Sequence, residues 1–406
     1  MGERCMNTPT ATPLAQWRDA ARACLERDDL QQAEQLFRRV LDEAPDDVEA
    51  LQVVGTAQLF EADFSAAART LRRALRVAPD LFVVRLRLGI ALEQLGQSQE
   101  ALTAYFGALR TAQGQGRWLS EDTTAPGLRE AVKHAMRYVD AGRLAWFHRV
   151  LEPLLQRYGA SDMQRVRHCL DGYLGERAVT MADPRQRPKF LYFPDIPSQP
   201  FYPRERFPWH DALEAATDDI REELRVVLAQ EQKLEAFLGV PPPGQSQQAM
   251  LQSSGPQPAA WDAYFFYRHG ERYDEHATAC PRTSALLDNL PLTHIRDHAP
   301  ETLFSVLSPG THILPHRGVT NVRLVTHLPL IVPPECALRV GGETHVWQEG
   351  RCVTFDDTFE HEAWNRSSET RVGLILDSWN PDLTEAEREA VTALIEAIGD
   401  FNAAAV

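Results

Sequence analysis

The N-terminal part of the sequence repeats itself every 34 residues, and few features constrain a fold more tightly. Pro45 and Pro79 stand one step apart, and the same step relates Ala33, Ala67 and Ala101; Phe37, Leu71 and Tyr105; Leu41, Leu75 and Leu109; Gly55 and Gly89; and Ala23, Ala57 and Ala91. A chain with such a period stacks one supersecondary unit on copies of itself, because a single unit cannot bury its own apolar face. The unit here is a pair of helices. LQQAEQLFRRVLDEAP and FSAAARTLRRALRVAP carry apolar residues at helical spacing, and each stops at a proline, which cannot continue a helix. The glycine and alanine columns leave room for the two helices of a pair to approach closely.

These columns resemble about three tetratricopeptide repeats over residues 12–113, behind a tail, 1–11, expected to be flexible. The resemblance implies an α-solenoid whose concave surface holds a peptide or partner protein, and it is equally compatible with repeats that dimerise or brace a neighbouring domain. Residues 114–186 continue with helical patterns (LREAVKHAMRYVD, LAWFHRVLEPLLQRYG, DMQRVRHCLDGYL) outside the 34-residue register and read as a helical connector.

At 406 residues the chain exceeds what one hydrophobic core covers, so more than one domain is expected. A formal net charge of −15 repels phosphate polymers and anionic membranes, which excludes non-specific nucleic-acid binding. No stretch reaches the roughly 18 apolar residues that span a bilayer, and MGERCMNTPTATP lacks the apolar core of a secretory signal. The expectation is a cytoplasmic protein with no membrane span. Its six cysteines (Cys5, Cys24, Cys169, Cys280, Cys336, Cys352) are scattered without CxxC spacing, so reduced thiols are expected.

The character of the chain changes at Arg187. A run rich in proline and aromatic residues, from Pro188 to Trp209, forbids regular helix and suggests an extended segment wrapping a domain that occupies 187–406. A helix over DALEAATDDIREELRVVLAQEQKLEAFLG is predicted next, then a polar loop at 241–258. From Trp261 onward the pattern is short strands divided by Gly, Pro and Asp: AYFFYRHG, TLFSVLSPG, RLVTHLPLIVP, ALRVGG, RCVTFDD, HEAWNR and RVGLILDSW. This suggests a β-sandwich or jelly roll. Thr384-Glu385-Ala386-Glu387 is a capping box that opens a last helix to about Ile398.

Candidate chemistry lies on those strands. His316 follows the strand TLFSVLSPGTHILP, and His361 comes 45 residues later, after the acidic turn Phe355-Asp356-Asp357. Two strand-borne histidines can meet in a barrel mouth, where neutral imidazole suits a first-row metal. Arg371, ten positions beyond His361, sits inside the apolar strand RVGLILDSW, where burial is costly unless it meets an anion; its planar fork suits a carboxylate. Ser305 alternates on the preceding strand and offers a hydroxyl to the same carboxylate. Asp356 and Asp357 read as turn residues that accept backbone hydrogen bonds. Arg323 reads either as a substrate contact or as an outward salt bridge.

Ser308-Pro-Gly-Thr-His-Ile-Leu-Pro-His316-Arg-Gly318, Thr320-Asn321, Leu328 to Pro333, Gly350, the block Phe355-Asp-Asp-Thr-Phe-Glu-His361-Glu-Ala-Trp364-Asn365, Arg371 and Asp377-Ser-Trp379-Asn-Pro381 look like the signature of the aspartyl/asparaginyl β-hydroxylases. The resemblance covers roughly residues 188–390. It implies a double-stranded β-helix (cupin-like jelly roll) that uses iron(II), 2-oxoglutarate and O2. It assigns His316 and His361 to the metal, Arg371 and Ser305 to the distal carboxylate of 2-oxoglutarate, and His327 to the neighbourhood of its other end. The family lacks the usual third carboxylate ligand, and this chain agrees, reading His316-Arg317-Gly318. It departs where many members carry an arginine two residues before His327: here Val325 stands, with Arg323 two further back.

The implied activity is hydroxylation of an unactivated C–H bond, foremost the β-carbon of an Asp or Asn residue in a peptide or protein delivered by the repeats, since a shared chain raises effective concentration. Oxidation of a small molecule, acyl chain or peptide natural product is the alternative that Val325 keeps open. Halogenation and a non-catalytic repeat scaffold or sensor complete the set.

Overall fold

The computed structural model describes residues 13–230, 234–239, 250–255 and 257–405. The tail 1–11, Cys5 and most of the loop 241–258 lie outside these residues. The chain divides into two compact units, Met1–Trp146 with Ile398–Val406, and Phe147–Ala397.

The first unit is helical. Helices α1 (Pro13–Leu25), α2 (Leu30–Glu43), α3 (Val48–Phe60), α4 (Phe64–Val77), α5 (Phe82–Gln94) and α6 (Ser98–Gly114) form three hairpins. The period reaches down to single backbone angles: the turn inside each hairpin places a left-handed residue at Asp28 (φ 60°), Ala62 (φ 62°) and Gly96 (φ 72°), again 34 apart. In the first two hairpins the next residue caps the second helix, Asp29 accepting from the Gln32 N–H and Asp63 from the Ala66 N–H. A Cβ at Gly55 would lie 2.7 Å from Leu71 Cδ2 and one at Gly89 2.5 Å from Tyr105 Cδ1, so each glycine is where its hairpin closes.

Helix α7 (Arg129–Asp162) follows, with Pro153 inside it and a break at Gly159 (φ 85°); α8 (Gln164–Leu174) ends on the left-handed Gly175. In the second unit residues 187–209, rich in proline, form no α-helix; Phe201–Tyr202 is a short strand, Arg204–Arg206 a 3-10 turn, and Leu191 bridges to Thr320.

The helix expected from Asp211 to Gly239 is shorter and broken. Helices α9 (His210–Ala215) and α10 (Thr217–Leu228) are separate, and Glu235–Ala236 forms a strand. Tertiary contacts override local propensity there: Phe237 stacks on Trp261 at 3.9 Å between centroids, and its N–H donates to the Trp261 carbonyl at 2.9 Å. Two short helices, α11 (Asp274–Ala279) and α12 (Pro281–Leu287), follow later, and α13 (Glu385–Ala404) closes the chain. The capping box at α13 is present, with Thr384 N–H donating to Glu387 Oε2 and Glu387 N–H to Thr384 Oγ1; the helix runs beyond the expected Ile398.

The strands pair antiparallel throughout, in two sheets. One has the order β1 (Phe201–Tyr202), β11 (Val353–Phe355), β8 (Arg323–Ile331), β13 (Arg371–Trp379), β6 (Thr302–Leu307), β4 (Trp261–Arg268), β2 (Glu235–Ala236), with β5 (Glu271–Arg272) beside β4. The other has β10 (Glu343–Val346), β9 (Cys336–Val340), β12 (His361–Asn365), β7 (Thr311–His316) and β3 (Leu251–Ser253). Alternation divides the larger sheet: Phe304, Val306, Leu328, Leu374 and Leu376 bury one face with Ile220 and Leu224 of α10, while Leu307, Val325 and Phe355 turn to Ile313, Leu338 and Ala363 of the other sheet. His316 does not simply follow the strand of Ser305. Gly310 (φ 70°) turns the chain after Leu307, and residues 311–316 become β7 in the other sheet.

Candidate active site

Three adjoining strands of the larger sheet present their odd-numbered residues to one cavity of about 210 Å³. Leu303 and Ser305 come from β6, Arg371, Ile375 and Asp377 from β13, and Arg323, Val325 and His327 from β8. From the facing sheet come Ile313 and His316 of β7, Leu338 of β9 and His361 and Ala363 of β12. Every residue singled out in the sequence (Ser305, His316, Arg323, His327, His361, Arg371) therefore lines one space.

His316 and His361 are cross-strand partners with ring centroids 4.0 Å apart. Each ring's Nδ1 faces a backbone carbonyl two residues earlier, Leu314 O at 2.9 Å and Phe359 O at 3.1 Å. A carbonyl only accepts, so Nδ1 carries the proton and Nε2 keeps its lone pair. Burial pulls both pKa values down, and the neighbouring His316 helps bring His361 to about 4, so both rings are neutral at pH 7. Among the described residues no group of three or more His, Cys, Asp or Glu side chains gathers to hold a metal. At this wall His316 and His361 offer two imidazole nitrogens.

Arg371 lies at another wall, 1% exposed. Its guanidinium carbon stands 3.9 Å above the Trp347 ring, Nη2 lies 3.4 Å from His327 Nδ1, and its buried Nε has no partner. Burial lowers its pKa to about 10, which leaves it charged at neutrality. Ser305 Oγ accepts the Trp261 indole N–H at 3.0 Å, so its own proton remains to be donated. His327 is buried and held neutral by desolvation and by the Arg371 charge. Among the described residues no carboxylate pairs with Arg371, whose cation lines the same cavity as the Ser305 hydroxyl; the two suit a carboxylate ligand, and two imidazole lone pairs suit a metal.

Arg323 points inward and is already paired, 3.2 Å from Asp357 Oδ2 and 3.0 Å from Asp377 Oδ1. Glu301 lines the same region. Asp356 behaves as a turn carboxylate should, accepting from Thr358 N–H and Oγ1 and from Gln186 Nε2. Asp357 does not. Its Oδ1 is buried with no partner, and a Cβ built on Gly318 would fall inside its carboxylate. The space a side chain at 318 would enter is filled by Asp357 instead.

Sequence reasoning read Asp357 only as a turn residue and passed over Trp347, Glu301 and the role of Trp261. The alternation that places Arg371 on the inner face also places Asp377, three strand periods on, and Glu301 follows likewise two periods before Ser305. Trp347 directly follows β10, outside any strand or helix, and no local signal marks it.

The family model described as Aspartyl/Asparaginyl beta-hydroxylase matches residues 214–381. Aspartate beta-hydroxylase domain-containing protein 2 is 32% identical in Rattus norvegicus over 246 residues, 59% of this chain and 68% of the relative. In Xenopus tropicalis it is 31% identical over 251 residues, 60% and 64%. Aspartyl/asparaginyl beta-hydroxylase of Homo sapiens is 38% identical over 135 residues, 33% of this chain and 18% of the relative. Ornithine lipid ester-linked acyl 2-hydroxylase of Rhizobium tropici is 34% identical over 195 residues, 47% and 64%. The chain thus spans 64% of the frog relative's length and 18% of the human one's.

Proposed function

Because this chain belongs to the aspartyl/asparaginyl β-hydroxylase family, we propose that it is an iron(II)- and 2-oxoglutarate-dependent hydroxylase built on a double-stranded β-helix. The observation that carries this reading is Arg371, a cavity-lining guanidinium, 1% exposed, with no carboxylate neighbour among the described residues. An unpaired buried charge costs several kcal/mol, and a ligand carboxylate is what offsets it.

In this reading His316 and His361 hold iron through Nε2, their Nδ1 protons fixed by Leu314 and Phe359 carbonyls. Arg371 and Ser305 bind the distal carboxylate of 2-oxoglutarate, with Trp347 backing the guanidinium and Trp261 orienting the hydroxyl. His327, neutral and 3.4 Å from Arg371 Nη2, would flank the bound 2-oxoglutarate. When bound, iron and 2-oxoglutarate supply the oxidising power that breaks an unactivated C–H bond with O2. The protein's part is to exclude water and aim the bond.

The peptide reading, hydroxylation at the β-carbon of an Asp or Asn residue, rests on the family and on the helical repeats. One observation favours a second substrate class. Val325, Leu303, Ile375 and Phe237 give the cavity an apolar wall, and Arg323 is already paired with two carboxylates, Asp357 and Asp377, instead of standing free for a substrate carboxylate. An acyl chain or other apolar C–H donor fits that wall better.

Anaerobic titration with iron(II) and 2-oxoglutarate tests the cofactor assignment through the visible metal-to-ligand charge-transfer band. The band is expected in the wild type and lost in His361→Ala; a folded wild type without it sinks the reading. Succinate formation with aspartyl peptides against acyl substrates then decides between the two classes.

A further inference from the structure

The chain carries a net charge of −15, yet residues 64–87 contain six arginines (Arg69, Arg72, Arg73, Arg76, Arg85, Arg87) and a single carboxylate, Asp80. Arg69, Arg72, Arg73 and Arg76 follow the i, i+3, i+4, i+7 rule and share one face of α4. Arg85 joins them from α5, and together with Leu75 these five line an open groove of about 660 Å³. Like charges so placed repel one another unless an anion lies among them.

The groove arginines are weakly neutralised by the protein itself. Among the described residues only Arg72 has a carboxylate partner, Glu100. Arg69 donates to Ser65 Oγ, and Arg73 to the Pro45 carbonyl. Arg85 donates to the carbonyls of Pro79 and Ala405, and its buried Nε has no partner. A second hollow shares Arg72 and Arg85; Leu88, Leu92 and Ala104 form its apolar side, and Gln99, Glu100 and Thr103 its polar side. Basic and apolar walls therefore adjoin.

We propose that this groove on α4 and α5 is a docking site for an acidic peptide segment that also presents an apolar side chain. Carboxylates meet the arginines as charge-assisted hydrogen bonds, and the apolar residue enters the second hollow. A phosphate polymer or anionic membrane gains only the first of these and is repelled by the rest of a strongly acidic molecule. The proposal stands apart from the oxygenase reading and is tested without catalysis.

The experiment is fluorescence anisotropy of a labelled peptide of alternating glutamate and leucine, titrated with the full chain. Saturable binding that weakens with salt is expected, with no binding of the lysine–leucine counterpart. Arg69→Glu/Arg76→Glu changes two exposed side chains outside the core and should weaken binding roughly tenfold or more, about what two charge-assisted contacts supply, while Arg69→Lys/Arg76→Lys retains most of it. Circular dichroism checks that both variants fold. Failure of the glutamate–leucine peptide to bind, or equal binding by the charge-reversed variant, overturns the proposal. So does tighter binding to phosphatidylglycerol vesicles or single-stranded DNA than to the peptide.

Discussion

Arg371 and Gly318 are the two residues on which the site turns. Desolvation opposes the Arg371 charge and no acid among the described residues offsets it, so the ligand-free protein holds it at a cost in stability. Arg371→Met should therefore raise the thermal midpoint of the ligand-free protein, by the equivalent of about 1–4 kcal/mol, while abolishing the further rise that 2-oxoglutarate gives the wild type. A thermal-shift series with and without 2-oxoglutarate reads both; a variant that is less stable and still responds to the ligand contradicts the assignment. Gly318 is constrained differently. Any side chain there displaces the Asp357 carboxylate, which is bound to Arg323. Gly318→Ala should cut iron-dependent succinate formation, and adding it to Asp357→Ala should cost little more, because both act on one carboxylate. Additive losses would separate the two residues.

At the scale of elements, the helical hairpins are closed by contacts that a methyl group disturbs. Gly89→Val drives its branch into the Tyr105 ring, and overpacking of this kind costs about 1–3 kcal/mol. The midpoint of urea unfolding followed by far-ultraviolet circular dichroism should fall accordingly. The start of α9 carries a pH dependence. His210 is 1% exposed, stacks on Phe207 and lies 3.1 Å from Thr354 Oγ1 of β11, and burial lowers its pKa to about 4. Between about pH 6.5, where the unfolded histidine titrates, and about pH 4, the unfolded chain binds a proton that the folded chain does not. Stability therefore falls as pH drops through that window, by about 3 kcal/mol from this residue. His210→Gln should flatten the dependence of the unfolding midpoint on pH between 7 and 4.5. An unchanged slope would mean that the buried ring is not the origin.

For the whole molecule, the first unit takes back the end of the chain. Phe401 packs on Phe106 with centroids 5.0 Å apart, and the Ala405 carbonyl accepts from Arg85. A chain ending at Ala397 should show a lower melting point for the first unit, by roughly 2–8 °C, with the iron titration of the second unit unchanged. Loss of iron binding on truncation would contradict that independence. Much of this organisation is legible in the chain, because it follows from local rules. A 34-residue period demands stacked hairpins, Thr384 and Glu387 announce a helix start, and strand alternation puts Ser305 and Arg371 on inner faces. The family block around His361 supplied the rest of the candidate site. What only the tertiary structure decided is partnership. That Arg371 finds Trp347 and no acid, that Arg323 is taken by Asp357 and Asp377, that Asp357 fills the place beside Gly318, and that Phe237 pulls its segment out of a helix onto Trp261 all depend on contacts between residues distant in the chain. The cost of a buried charge is set by what the fold brings next to it, and spacing along a sequence carries no record of that.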